Sequence, residues 1–441
     1  ALLELIQEQE PTTVEVVSQC LYDRLGAGNQ TTEVTQALEK LRSLGLLTYS
    51  DKTGYKIQSS AGQEWARERD VETISRDTIS EIVAEKLKEL LGSVDRSRYK
   101  GNSFRWAAYY SDGRHQQDER LQVPTDLAVV TVDFRYLTNK EDRDSGKWVQ
   151  ESSRHGLRHR LVWVVGSLGD LDSKVRELGR SRKMVERYSS RVSSLTREKQ
   201  RQLFDEQGRL DDLESQVKEA VARAFVEGDL YFQGRRVDKD AHGSGFASLL
   251  QSVGESMMPE LYSRYVDIPV TPGELNQLLE PNLSGPSHKF MQDGLGILDL
   301  DGGKYVPSCN GEVPTRIAAY IQESNGAAGN ILLADFGGPP HGYAPDMIKA
   351  CLVGLLRAER IRIRPEQGPE ITSVRDPGAR DMFTKDRDLK RAEILPPGDG
   401  GLKPRDRVSI CRFFEQSLQR PLDRENDAIA DAVFEQFPGL V

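Results

Sequence analysis

A helix that stops at a glycine and runs directly into two short strands can bury its apolar stripe only beside that hairpin, and this order recurs along the chain. In residues 29–57, NQTTEVTQALEKLRSLGLLTYSDKTGYKI, Val34, Leu38, Leu41 and Leu44 fall at helical spacing and define one stripe to be buried. Gly45 suits the left-handed conformation that ends a helix. Residues 46–49 and 55–57 then read as strands around the turn Asp51-Lys52-Thr53-Gly54. Helix, stop and hairpin is the winged-helix order. That shape reads DNA or holds proteins together, and performs no covalent chemistry by itself.

Upstream, residues 2–7 read as a short helix. Thr12-Thr13-Val14-Glu15 has capping-box spacing and starts another, ending near Gly26. The helix from Thr32 is the candidate recognition helix. Its outward residues Glu33, Gln36, Glu39, Lys40 and Arg42 mix signs, and the two glutamates oppose phosphate neutralisation. A second unit opens at Thr271-Pro272, an N-cap followed by proline, with Leu275, Leu278 and Leu279 as its stripe and a hairpin over 297–306 turning at Asp301-Gly302-Gly303. A third, over 312–374, has helices at 317–321 and from Pro345, and a wing from 360–364 and 371–374 around Pro365 to Pro369.

At 441 residues the chain is too long for one core. The expected fold is α+β and mostly α. It comprises a winged helix at 1–70, a small α/β domain at 71–168 and a helical hairpin or coiled-coil segment at 169–228. Strand-turn and helices follow at 229–267, winged-helix-like units at 268–308 and 312–374, a Gly/Pro/charge-rich linker at 375–404 and C-terminal helices at 405–441. The small mixed sheet takes its strands from 127–136 and 161–165, with a charged loop at 138–146, while 99–119 reads as polar and irregular. An amphipathic helix over 71–92 carries Ile79, Ile82, Val83, Leu87, Leu90 and Leu91. Leu203, Leu210 and Val217, seven apart, with Leu213 and Ala220, form a helical seam. Residues 230–234, LYFQG, resemble a tag-removing protease site, but Gly228 stands where that protease prefers glutamate, so they read as a natural strand and turn.

The net charge of −9 argues against a wholly basic DNA-wrapping protein and leaves room for a local basic stripe. That stripe is the segment from Arg176 to Arg201. If DNA is touched, the best candidates are Arg180, Arg182, Lys183, Arg187 and Arg191, then Arg360, Arg362 and Arg364 on the third wing. Arg180, Arg187 and Arg191 share a helical face, and the wing arginines alternate along a strand. The competing reading is that both groups pair with acidic residues elsewhere in the chain.

Chemistry is sparse. There is no GxxxxGK[ST] loop, and GGPPHG at 337–342 has two prolines where backbone donors are needed. His155 and His159 are four apart across a glycine, and no HExxH or GxSxG pattern occurs. Cys20, Cys309, Cys351 and Cys411 are far apart and fit reduced, buried thiols. No apolar run approaches the roughly 20 residues of a membrane span. No catalytic residue, cofactor site or metal site is expected. The chain starts at Ala1 and is expected to be a fragment of something longer.

Three segments together carry a resemblance. They are GQEWARER at 62–69, YFQG at 231–234 and FGGPPHGY at 336–343, the last similar to a PPYGW-type element before a helix, with His341 in the aromatic position. The chain resembles the P-loop protein family of the BREX phage-defence system (BrxC/PglY) but lacks its Walker A motif, as the portion downstream of the ATPase domain or a degenerate relative would. The resemblance implies a large cytoplasmic AAA-type ATPase using ATP and Mg, acting with a methyltransferase, an alkaline-phosphatase-like protein and smaller partners. The overall acidity and the mixed-sign recognition helix favour a scaffold that assembles such partners; the alternatives are a DNA-binding winged-helix module or regulator using the arginine-rich helix, and a cryptic nuclease or hydrolase. Double-stranded DNA contact and self-association are further expectations, and no membrane contact is expected.

Overall fold

The computed structural model describes residues 11–21, 30–44, 46–50, 54–57, 60–114, 118–398, 404–422 and 426–438. Among them the chain is α+β and mostly helical, with sixteen α-helices and several small sheets. It divides into two compact units, one of residues 1–95, 108–122 and 133–250, the other of 96–107, 123–132 and 251–441. The helix expected over 2–7, the stop at Gly45 and the turn residues 51–53 lie outside the described residues.

Helix α1 (Val14–Cys20) begins where the Thr13 hydroxyl accepts from the Val16 N–H. After α2 (Thr31–Ser43), strands β1 (Leu47–Ser50) and β2 (Gly54–Ile57) pair antiparallel. Val34, Leu38 and Tyr55 form the small core here. Leu41 and Leu44, expected in the stripe, are exposed. Three buried side chains close this core, and the last turn of α2 runs past it. Next come α3 (Ser60–Val71) and α4 (Arg76–Leu91). The apolar stripe expected over 71–92 is the buried face of α4, capped by Ser75.

Strands β3 (Ser97–Tyr99), β4 (Asn102–Ser111), β5 (Glu119–Gln122) and β6 (Val129–Arg135) precede α5 (Ser145–Ser153) and β7 (Arg160–Val164). Then come α6 (Leu171–Ser189), α7 (Arg197–Val226), β8 (Asp229–Phe232), β9 (Arg235–Arg236) and α8 (Phe246–Leu261). The sheet has seven strands in the order β3-β4-β6-β7-β8-β9, with β5 beside β4. β4, β6 and α8 contribute residues to both units. The longest strand, β4, corrects the irregular reading of 99–119: Phe104, Trp106, Ala108 and Tyr110 alternate along it and are buried. Its charged flanks hide that face from a composition reading. The loop expected at 138–146 contains the start of α5, capped by the Asp144 carboxylate.

Aromatic rings organise the first unit's core. Trp163 stacks on Phe246 at 4.9 Å and on Phe134 at 5.7 Å, Phe225 meets Trp163 and Phe134 edge-on, and the Trp163 indole donates to the Phe225 carbonyl at 2.7 Å. In the LYFQG segment Leu230, Tyr231 and Phe232 are buried in β8, and Gln233 and Gly234 turn the chain at positive φ. It is a strand and turn of the fold.

In the second unit α9 (Pro272–Leu278) has the capping box: the Thr271 hydroxyl accepts from the Glu274 N–H and the Glu274 carboxylate accepts from the Thr271 N–H. Strands β10 (Leu298–Asp301) and β11 (Lys304–Pro307) pair antiparallel. α10 (Glu312–Glu323), β12 (Ala327–Ala328), α11 (Gly329–Gly337), α12 (Pro345–Arg357) and β13 (Arg362–Arg364) follow. The linker expected at 375–404 is largely structured, holding α13 (Ala379–Thr384), α14 (Asp386–Arg391) and β14 (Glu393–Leu395). Phe383, Leu389 and Ile394 lie in this unit's core, and β14 takes the middle of a three-stranded sheet between β12 and β13. The glycines and prolines around these elements obscured their apolar residues. α15 (Pro404–Leu418) and α16 (Asn426–Gln436) end the described chain.

Gly228, at the turn from α7 into β8, has no room for a side chain: an added Cβ would stand 2.1 Å from the Val164 carbonyl oxygen. Backbone must move to admit it. Gly228→Ala is expected to destabilise the protein by about 1–3 kcal/mol, read as a lower denaturant midpoint.

Candidate interaction surfaces

The arginine-rich helix α6 faces carboxylates of its own chain. Arg182 donates bidentately to Glu85 at 2.7 Å through both Nη atoms and through Nε to Glu214 at 2.8 Å. Arg180 donates to Glu177 at 3.0 Å and to the Glu72 carbonyl at 3.2 Å. Lys183 donates to the Thr73 carbonyl at 2.8 Å, and Arg187 pairs with Glu72. The acidic partners come from α4, α7, α6 itself and the α3–α4 connection, elements packed beside α6. Arg191, beyond the helix end, is exposed and makes no ion pair among the described residues.

Beneath these pairs lies a buried carboxylate. Glu206 of α7 is 4% exposed. It accepts from the Trp65 indole at 3.0 Å, from Arg69 Nε at 3.0 Å and from the Ser181 hydroxyl at 2.6 Å. Arg69, itself buried, also donates to Ser181 and pairs with Glu177 at 2.7 Å. Around this centre Trp65, Met184 and Leu203 pack together, and the Trp65 and Tyr188 rings lie 4.6 Å apart. The segment GQEWARER is thus the body of α3, and its Trp65 and Arg69 lock α3 onto α6 and α7. Buried Leu203, Leu213, Val217 and Ala220 of the expected seam line the inner face of α7.

The wing arginines are also engaged. Arg362 donates to Glu370 at 2.7 Å and to the Pro396 carbonyl, and Arg364 donates to Glu370 and to Glu393. Both lie on one side of β13, with Ile363 buried between them. Arg360 is separate and donates to the Cys309 carbonyl at 3.3 Å. The expected two-stranded wing is different in kind: Ile371 bridges Ile363, but β13 also pairs along its length with β14.

The FGGPPHGY element closes on itself. The Tyr343 N–H donates to the Phe336 carbonyl at 2.9 Å, the two rings stack at 6.1 Å, and His341 packs against both, 4.8 Å from Phe336 and 5.1 Å from Tyr343. Burial, reinforced by Arg264 and Arg316, pushes the His341 imidazole down to about 4, so it is neutral at pH 7. Cys309, Cys351 and Cys411 are buried free thiols, and burial raises the Cys309 thiol to about 12; Cys20 is exposed, against expectation. Among the described residues no group of three His, Cys, Asp or Glu gathers to hold a metal ion, and no helix is long and apolar enough to cross a membrane.

Two further features were not read from the sequence. One is an ionic cluster on the sheet. Buried Asp133 pairs with Arg135 at 2.6 Å, Arg135 also pairs with Asp118, and Arg160 stands over the Tyr109 ring at 4.2 Å. Burial pushes the Asp133 carboxyl up against the pull of Arg135. The other is a pair of grooves along the β10–β11 hairpin. One, of about 940 Å³, is lined by His288, Met291, Asp293, Asp299 and Leu300; the second, of about 520 Å³, by Leu283, Gly303, Lys304, Arg412 and Glu415.

Comparison with protein-family models, with curated proteins and with solved structures finds no match to this chain.

Truncating the buried carboxylate leaves Arg69 with Glu177 alone and takes the acceptor from the Trp65 indole and the Ser181 hydroxyl, so Glu206→Ala is expected to cost about 3–5 kcal/mol in chemical denaturation. Arg182→Glu sets a third carboxylate beside Glu85 and Glu214 and is expected to cost about 1–3 kcal/mol, whereas Arg191→Glu should stay within about 0.5 kcal/mol of the parent. Equal effects of these two reversals would contradict the internal role of Arg182.

Acid should loosen the same contact. The Arg182 hydrogen bonds hold the Glu85 carboxyl below its ordinary value, against a smaller opposing effect of burial. A depressed carboxyl contributes stability above its unfolded value, near pH 4.3, and loses it as pH falls through the lower folded value. Melting temperature measured against pH should therefore drop less steeply below about pH 4.3 in Glu85→Gln than in the parent.

Proposed function

We propose that this chain is a non-catalytic interaction scaffold, the portion of a BREX-type P-loop protein that lies outside its Walker A domain, and that it assembles partner proteins in the cytoplasm. The observation that carries this reading is the internal neutralisation of α6. A duplex-binding helix gains affinity by releasing counterions from phosphates with free cations. Arg180, Arg182, Lys183 and Arg187 instead bond to carboxylates and carbonyls of this chain. The net charge of −9 supports the same conclusion.

The helix-and-hairpin units are read here as winged helices used for protein contact. The one ending in β10 and β11 favours this use, because Asp293, Asp299 and Asp301 border its larger groove with exposed Leu300 beside them. Carboxylates at that position repel a phosphate backbone and suit a protein surface. The partners, by the resemblance, are a methyltransferase, an alkaline-phosphatase-like protein and smaller defence proteins. ATP and Mg belong to the P-loop domain of the parent, and this chain by itself is expected to hydrolyse no ATP.

A second reading, contact with double-stranded DNA, is favoured by one observation. Arg191, in the connection between α6 and α7, and Arg197 and Arg201, in the first two turns of α7, are exposed and make no ion pair among the described residues. A duplex titration at two salt concentrations separates the readings. The scaffold reading expects weak binding with a shallow salt slope, and capture of the purified methyltransferase or phosphatase-like protein by the immobilised chain. Tight binding that falls steeply with salt would replace it with the DNA reading.

A further inference from the structure

Helix α7 carries an outward stripe that is exposed among the described residues. Leu203, Glu206, Leu213, Val217 and Ala220 are buried on its inner face. At 100° per residue, Arg197, Arg201, Phe204, Gly208, Asp211 and Asp212 lie on the opposite face, and all six are exposed. Phe204 is 74% exposed, the most solvent-accessible aromatic side chain among the described residues. Gly208 stands one turn away, where an added Cβ would meet nothing within 4 Å. A helix-interior glycine is less favourable than alanine, and packing among the described residues gives no reason for it here.

The charges along this stripe are ordered. Arg197 and Arg201 precede the phenylalanine, and Asp211 and Asp212 follow the glycine. None of the four makes an ion pair among the described residues, although neighbours off the stripe do, as in Asp205 with Lys56 and Lys199 with Glu64. The pattern is self-complementary when reversed. A two-fold axis crossing the stripe midway between Phe204 and Gly208 sets Phe204 of each copy on Gly208 of the other. The same axis brings Arg201 of each copy opposite Asp211 of the other. Glycine lets the ring approach the helix backbone, and each guanidinium finds a carboxylate.

We propose that a second copy of this chain docks on the stripe, the two α7 helices packing antiparallel about that axis. The contact is isologous, as closed dimers require. Confined to one helix face, it stays below the about 1,200 Å² usual for stable complexes, so the dimer is weak, concentration-dependent and sensitive to salt. The proposal does not depend on the partner-protein reading above.

Sedimentation velocity of the full chain over a concentration series, at low and high salt, tests it. The expected result is a monomer that shifts to dimer as concentration rises, the shift being reduced by salt. Phe204→Asp should abolish the dimer with an unchanged circular dichroism spectrum, since the ring is free of the core. Arg201→Asp and Asp211→Arg should each return the chain to monomer, because each sets like charges opposite one another. The double variant Arg201→Asp/Asp211→Arg should restore the dimer. The proposal is overturned by a chain that stays monomeric throughout, by a dimer indifferent to Phe204→Asp, or by single variants that the double variant fails to rescue. A monomeric chain that instead binds an oligonucleotide through Arg197 and Arg201 would make the stripe a phosphate surface and also end the proposal.

Discussion

Glu206 is where the first unit is committed to one arrangement. A carboxylate taken out of water costs several kcal/mol, and that cost is offset only when every lone pair finds a donor. Here the donors come from different places: Trp65 and Arg69 from α3, and Ser181 from α6. Arg69 in turn is satisfied by Glu177 as well as Glu206. Each group is affordable inside the protein only because the others are present, so α3, α6 and α7 hold one another in register.

The ion pairs outside this centre follow from the same placement. Once α3 lies along α6 and α7, Glu64 reaches Lys199, Glu68 accepts from the Tyr188 hydroxyl and Glu72 meets Lys183 and Arg187. On α4, Glu85 meets Arg182, and buried Lys86 joins Glu89 and Glu214. Exposed pairs of this kind contribute little individually. Their larger effect is to remove free positive charge from the one strongly basic segment of an acidic chain. What remains available lies past the end of α6 and on the outer face of α7, beside Phe204 rather than along the helix that composition singles out.

Much of the helical architecture was legible in local signals. The Thr271 N-cap, proline at the first position of α9 and α12, and the apolar stripe of α4 each act within a few residues, and each stands where periodicity and cap chemistry place it. Strand β4 and the elements at 379–395 were not legible. Their apolar residues are interleaved with charge, glycine and proline, and they become strands and helices because a core or a sheet partner selects them. Leu41 and Leu44 show the converse: helical spacing marks them as buried, but the core of that hairpin unit ends at three residues.

By itself the sequence determined that the chain is mostly helical and acidic, that its basic residues concentrate around 176–201, and that its helices alternate with short hairpins. These properties are carried by composition and by spacings of a few residues. Tertiary structure alone decided which of the cations are free. Arg182 and Arg191 are nine positions apart on one basic segment and have the same side chain. One meets Glu85 and Glu214, 97 and 32 residues away, and the other faces solvent. An electrostatic partner is set by distance in space. Only the packing of α4 and α7 against α6 brings those carboxylates within reach.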